Sequence, residues 1–113
     1  MKTYIFDIDG VICNLKNDDH YFYYLKNLIP NMEVIDAINK LYDDGNTIIF
    51  MTGRGTQTGI DWREETEKQL SIWGVKYHEL RFINKPLDYL YVDDHACSIE
   101  EFIEKIRYGE FKD

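Results

Sequence analysis

Thr3-Tyr4-Ile5-Phe6-Asp7-Ile8-Asp9-Gly10 is the stretch from which the fold can be read. It is almost wholly apolar, rich in aromatic and β-branched residues, and ends in acids, as expected of a strand buried on both faces of a parallel sheet. Two residues of spacing along an extended chain put the side chains of Asp7 and Asp9 on the same side, and Gly10 permits a sharp exit from the strand.

Working outward, Met32, Ile35, Ile38 and Leu41 recur at helical spacing, and Asp43-Asp44-Gly45-Asn46 stops that helix with turn residues. Thr47-Ile48-Ile49-Phe50-Met51 is a second buried strand and runs into Thr52-Gly53-Arg54-Gly55. Residues 61–73 predict a charged helix with an apolar stripe, closed by Gly74. Val75-Lys76-Tyr77 reads as a short edge strand, and residues 87–92 as another strand leading into Asp93-Asp94. Ser98 followed by Glu101 has the spacing of a capping box and opens a last helix. Residues 14–30, with the aromatic cluster Tyr21, Phe22, Tyr23 and Tyr24, follow no clear period.

Strands alternating with helices imply right-handed crossovers and a parallel sheet. The expected fold is a three-layer, Rossmann-like α/β domain over residues 1–113, with a mostly parallel sheet of about four strands. Asp7 and Asp9, Thr52, and Asp93 and Asp94 each follow an apolar strand directly, so three segments deliver polar tips to the crevice where open α/β sheets bind ligands.

At 113 residues the chain is long enough to bury one core without staples. Cys13 and Cys97, the two cysteines, lack the spacing of a zinc site and read as reduced thiols. No apolar run approaches the roughly 18 residues of a membrane span, and no leader precedes the first strand, so the expectation is a cytoplasmic protein without a membrane partner. The net charge of −8 repels polyanions and argues against nucleic acid as partner.

Carboxylates gathered at one sheet edge repel one another unless a cation intervenes. The donors are all oxygen, which favours a hard cation, and a phosphate to be held at the same place favours Mg2+ over calcium. One carboxylate can then attack phosphorus while its neighbour protonates the leaving oxygen and later activates water. Thr52, the amides of residues 53–55 and Lys85 can serve the equatorial phosphoryl oxygens.

Phe6-Asp7-Ile8-Asp9-Gly10-Val11, then Thr52, then Lys85, then Asp93-Asp94 resembles the four ordered motifs of the haloacid dehalogenase superfamily, over nearly the whole chain. The resemblance implies that Asp7 is the nucleophile and a metal ligand, and that Asp9 is the acid/base with its backbone carbonyl on magnesium. It further implies that Thr52 holds phosphoryl oxygens, Lys85 steadies the phosphoaspartate, and Asp93 ligates the metal with Asp94 in support. Too few residues separate Gly10 from the first helix, or Thr52 from Lys85, for an inserted cap. The site is therefore expected to be open, covered at most by residues 14–30 or by a second subunit of a homo-oligomer.

The segment from Thr52 through Asp61-Trp62 and Trp73-Gly74 to Lys85-Pro86 is similar to small phosphatases found with capsule and surface-polysaccharide genes. That similarity implies a phosphorylated sugar or polyol as the substrate of a magnesium-dependent phosphatase, and Gly53 and Arg54 are candidates for contact with its phosphate or with the rest of it. For Arg54 an ion pair with a nearby acid is an equal alternative. Competing readings of the whole chain are a phosphatase for a nucleic-acid end or a phosphoprotein, and a catalytically silent binding module. His20, His78 and His95 read as structural or surface residues, and Trp62 and Trp73 as packing.

Overall fold

The computed structural model describes residues 1–14, 28–56, 59–86 and 88–109. Its elements are strand β1 (Thr3–Asp7), helix α1 (Met32–Asp43), strand β2 (Thr47–Thr52), helix α2 (Arg63–Ile72), strand β3 (Glu79–Phe82) and helix α3 (Ile99–Tyr108). Among the described residues the sheet has the order β1-β2-β3 and is parallel throughout, each strand reaching the next through a helix. The register pairs Phe6 with Phe50 and Asp7 with Met51, then Phe50 with Leu80 and Thr52 with Phe82. All three strands therefore end at the same edge, and the α/β Rossmann-like fold expected from the sequence is the fold found.

Tyr4, Phe6, Ile48, Phe50 and Leu80 share one face of the sheet by strand alternation. Phe6 meets Phe102 edge-on at 5.2 Å, which brings α3 onto β1, and Phe50 meets Tyr77 edge-on at 5.8 Å. Helix α1 turns Val34, Ile35, Ile38 and Leu41 into the same core, with the Asn31 side chain capping its start by accepting from the Val34 N–H. At its end Asn46 donates to the Leu41 carbonyl and accepts from the Lys2 N–H, which ties α1 to the entrance of β1. The Ser98 hydroxyl accepts from the Glu101 N–H and so caps α3, while the Glu101 carboxylate accepts from that hydroxyl. His78 is structural, as expected: its Nδ1 accepts from the Ile48 N–H and its ring stacks on Tyr42.

Three expected strands differ. Among the described residues β1 is covered on one face rather than both, with Phe6 buried and Ile5 56% exposed. Residues 75–77 form a connection, and the third strand lies two residues further on. Residues 88–92 form no strand, and Leu90 and Val92 are 87% and 83% exposed, so the described sheet has three strands rather than about four. Pro86 withholds a ladder N–H just before this run, and Asp88 and the tyrosines break its apolar pattern. The irregular segment 15–27, with Tyr21 to Tyr24 and His20, lies outside the described residues. Among the described residues no helix is long and apolar enough to cross a membrane.

Candidate active site

The site begins where β1 ends. Asp7 is the last residue of the strand, and Ile8 beyond it is fully buried, as is Ile12. The N–H groups of Val11 and Ile12 return to the Ile8 carbonyl, and Gly10 donates to the Cys13 carbonyl with a φ of 85°, a left-handed value that a side chain would strain. This loop fixes Asp7 and Asp9 on either side of the buried Ile8.

Each aspartate meets a cation from another strand end. Lys85, three residues beyond the end of β3, places its Nζ on Asp7 Oδ1. Burial alone would lower the lysine pKa, but the hydrogen bond and charge of Asp7, with Tyr89, outweigh it and raise the ammonium above its ordinary value. Lys85 arrives there through Thr56, whose hydroxyl accepts from the Lys85 N–H at 3.1 Å and donates to the Ile83 carbonyl at 3.3 Å. Gly53 lies directly beneath: a Cβ built on it would sit 2.8 Å from the lysine stem.

Thr52 ends β2, buried, and its hydroxyl accepts from the Arg54 N–H at 3.1 Å, leaving the hydroxyl proton for another acceptor. Arg54 grips Asp9 with two bonds, Nε to Oδ2 at 3.0 Å and Nη2 to Oδ1 at 2.8 Å. Its remaining arm, Nη1, donates to Thr66 Oγ1 of α2 at 3.1 Å. The Arg54 side chain is 1% exposed, and the ion pair that the sequence allowed for it is formed with Asp9. The Cys13 thiol lies against Asp9 Oδ1 at 3.6 Å, and burial first, then the Asp9 charge, pushes its pKa up to about 12.

Asp93 and Asp94 stand differently. Both are exposed, and Asp93 is held within its own turn by the His95 N–H at 2.6 Å and the Tyr91 hydroxyl at 3.2 Å. The His95 N–H is the main reason that its carboxyl is pulled below the usual range. The turn lies near the site nonetheless. The Tyr89 ring lies 5.7 Å from Lys85 Nζ, and the Asp7 charge joins that of Asp93 in raising the Tyr91 phenol. Among the described residues no three acidic, His or Cys side chains converge as a metal cluster, so Asp7, Asp9, Asp93 and Asp94 are not assembled as the expected ligand set. The donor chemistry suits a hard cation, since the donors are carboxylate and main-chain oxygens and the Asp7 side chain is 45% exposed.

Of the expected residues, Asp7, Asp9, Thr52, Gly53, Arg54 and Lys85 come together at one sheet edge, while Asp93 and Asp94 lie outside that cluster. Cys13, Thr56 and Thr66 join it unforeseen. A cleft of about 310 Å³ continues from the site, sharing Arg54 and Thr56 with it and lined further by Ile60, Asp61, Phe82 and Asn84.

Comparison with known proteins agrees with this arrangement. The family model described as the polynucleotide kinase PNKP phosphatase domain matches residues 1–94. A crystal structure of a Vibrio cholerae protein is similar at 26% identity and TM-score 0.76, with 96% of this chain and 95% of that one covered. The Pnkp1/Rnl/Hen1 RNA repair complex contains a similar chain at 20% identity and TM-score 0.59, of which this chain spans 32%. D,D-heptose 1,7-bisphosphate phosphatase from B. bronchiseptica, solved with magnesium and phosphate, is similar at 21% identity and TM-score 0.55, with 96% and 64% covered. At these last two identities the likeness is one of fold. No curated protein matches the chain. Its strand-tip aspartates and the match over residues 1–94 place the chain in the PNKP phosphatase-domain family of haloacid dehalogenase-type phosphatases.

Proposed function

We propose that the chain is a magnesium-dependent phosphatase that hydrolyses a phosphate monoester through an aspartyl-phosphate on Asp7. The observation that carries this reading is the division of labour at the tip of β1: Asp7 is exposed and paired with Lys85, whereas Asp9 is gripped by a buried arginine. In the first step an Asp7 oxygen attacks phosphorus and the ester P–O bond breaks, the leaving alkoxide taking a proton from the Asp9 carboxyl. In the second, Asp9 takes a proton from water as that water attacks phosphorus, releasing inorganic phosphate and restoring the Asp7 carboxylate. The Thr52 hydroxyl, the Gly53 amide and the Lys85 ammonium are the donors for the phosphoryl oxygens.

Magnesium would be held by Asp7, the main-chain oxygen of Asp9 and Asp93, with Asp94 in support, and would offset the charge of carboxylates and phosphate. The cleft beside the site has the volume of a small-molecule pocket. With the net charge of −8, it supports a small phosphorylated sugar or polyol, of the kind implied by the similarity to surface-polysaccharide phosphatases. A second reading, a phosphorylated nucleic-acid end, has the family model in its favour.

A screen of sugar phosphates, polyol phosphates and a 3′-phosphorylated oligonucleotide, each with and without magnesium, tests both. Release of phosphate from the small esters, dependent on magnesium and lost in Asp7→Asn and Asp9→Asn, is the expected result. Turnover of the oligonucleotide alone would favour the second reading, and no turnover of any ester would make the chain a silent module.

A further inference from the structure

We propose that Thr66 is a positioning residue for proton transfer, acting through Arg54 on Asp9; the proposal rests on the phosphatase reading above. Thr66 lies on α2, on the buried stripe that also carries Leu70, and is fully buried where an apolar residue would pack as well. Its hydroxyl is the acceptor for the one arm of Arg54 that does not reach Asp9. A guanidinium is planar, so fixing Nη1 on one side sets the direction of the Nε and Nη2 edge on the other. That edge holds both Asp9 oxygens, and with the Arg54 N–H on Thr52 the chain α2–Arg54–Asp9 is pinned at each link.

Removing the acceptor leaves a buried N–H of a charged group without its partner, and the guanidinium then rotates towards another oxygen. Asp9 loses its orientation although no atom touching the substrate has changed. The loss falls on both steps in which Asp9 moves a proton, but only in the first, the protonation of the leaving oxygen, does it grow with the basicity of the leaving group.

The test compares wild type, Thr66→Val, which keeps the shape and removes the acceptor, and Thr66→Ser, which restores a hydroxyl. Each is assayed at saturating magnesium with an alkyl phosphate, whose alkoxide needs the proton, and with p-nitrophenyl phosphate, whose phenolate does not. The expected result for Thr66→Val is a fall in kcat/KM, which reports the first step alone, of about tenfold or more on the alkyl ester, against the ~100-fold or greater effect of losing the acid altogether. On the nitrophenyl ester kcat/KM should change little, and Thr66→Ser should behave as wild type on both. Independently of turnover, the Arg54 Nε–H resonance, slow to exchange in wild type, should broaden in Thr66→Val.

Equal losses of kcat/KM on the two esters in a folded variant would overturn the proposal, as would an unchanged Arg54 resonance or a Thr66→Ser as impaired as the valine. Should Thr66→Val fail to melt cooperatively, Thr66→Ala carries the same comparison. Wild type inert towards both esters would sink the phosphatase reading and this proposal together, whereas an active wild type with equal losses sinks this one alone.

Discussion

Asp7 and Asp9 stand at the tip of β1, and each meets a cation supplied by a different segment of the chain. Asp93 and Asp94, the other acidic pair, stand on an exposed turn whose hydrogen bonds come from Tyr91 and His95 within that turn. The first pair is fixed by long-range contacts, between residues 78 and 45 positions apart in sequence; the second by neighbours two positions away. Half of the expected metal and phosphate site is thus preorganised by folding. The other half takes its shape from contacts within its own turn.

The sharpest way to break this contrast is to remove its reactive member. Asp7→Asn should lower phosphatase turnover at least ~1,000-fold while the protein stays folded, because an amide cannot serve as the attacking group. Measured phosphate release near wild type would show that the exposed carboxylate is not the nucleophile. Arg54→Leu should lower unfolding free energy by about 2–3 kcal/mol in urea titrations, since it strands the Asp9 carboxylate and Thr66 beside an apolar side chain. A loss below ~0.5 kcal/mol would mean that the first pair is no better built in than an ordinary surface residue.

Asp93→Asn should do the reverse, leaving stability within ~0.5 kcal/mol of wild type because nothing in the core leans on it. The apparent magnesium affinity should nevertheless weaken by about tenfold or more in activity titrations, from loss of a charged oxygen ligand. The smallest effect concerns the thiols. Iodoacetamide at pH 8 should modify exposed Cys97 readily and buried Cys13 only on unfolding, and raising the pH to 10 should not change that order. The sign follows from the Cys13 pKa: the fold keeps this thiol protonated from the ordinary value of 9.0 up to about 12, so stability present below pH 9 declines as the pH climbs towards 12. Mass spectrometry of the alkylated protein reads both outcomes.

Lys85 was singled out by donor chemistry and the family resemblance. The first acidic pair and Thr52 were legible in the sequence because an apolar run that stops at a polar residue marks a strand tip, and strand tips of a parallel sheet share one edge. Residues 87–92 misled for the same reason. An apolar run signals burial only when a neighbour exists to bury it, and Leu90 and Val92 found none among the described residues. Thr66 was missed although it carried a signal. It falls four residues after Trp62 and four before Leu70 on the buried stripe of α2, a place where a hydroxyl implies a partner across the core. Which partner no spacing could say, since Arg54 is joined to it only by the fold. The roles of Thr56 and Cys13 are of the same kind: each depends on a contact between residues that local pattern treats as unrelated.

The glycine beneath Lys85 bears on affinity. A lysine free in solvent surrenders most of its rotamer entropy, on the order of 1.5–2 kcal/mol, when a ligand immobilises it. Here the stem of Lys85 already lies pressed across Gly53, its N–H held by Thr56 and its ammonium on Asp7. Its freedom is given up during folding, once, and is not subtracted again each time a phosphate arrives. A methyl group at position 53 would lift the stem and return that freedom to the unliganded protein, so Gly53→Ala would weaken phosphate binding without removing a single donor.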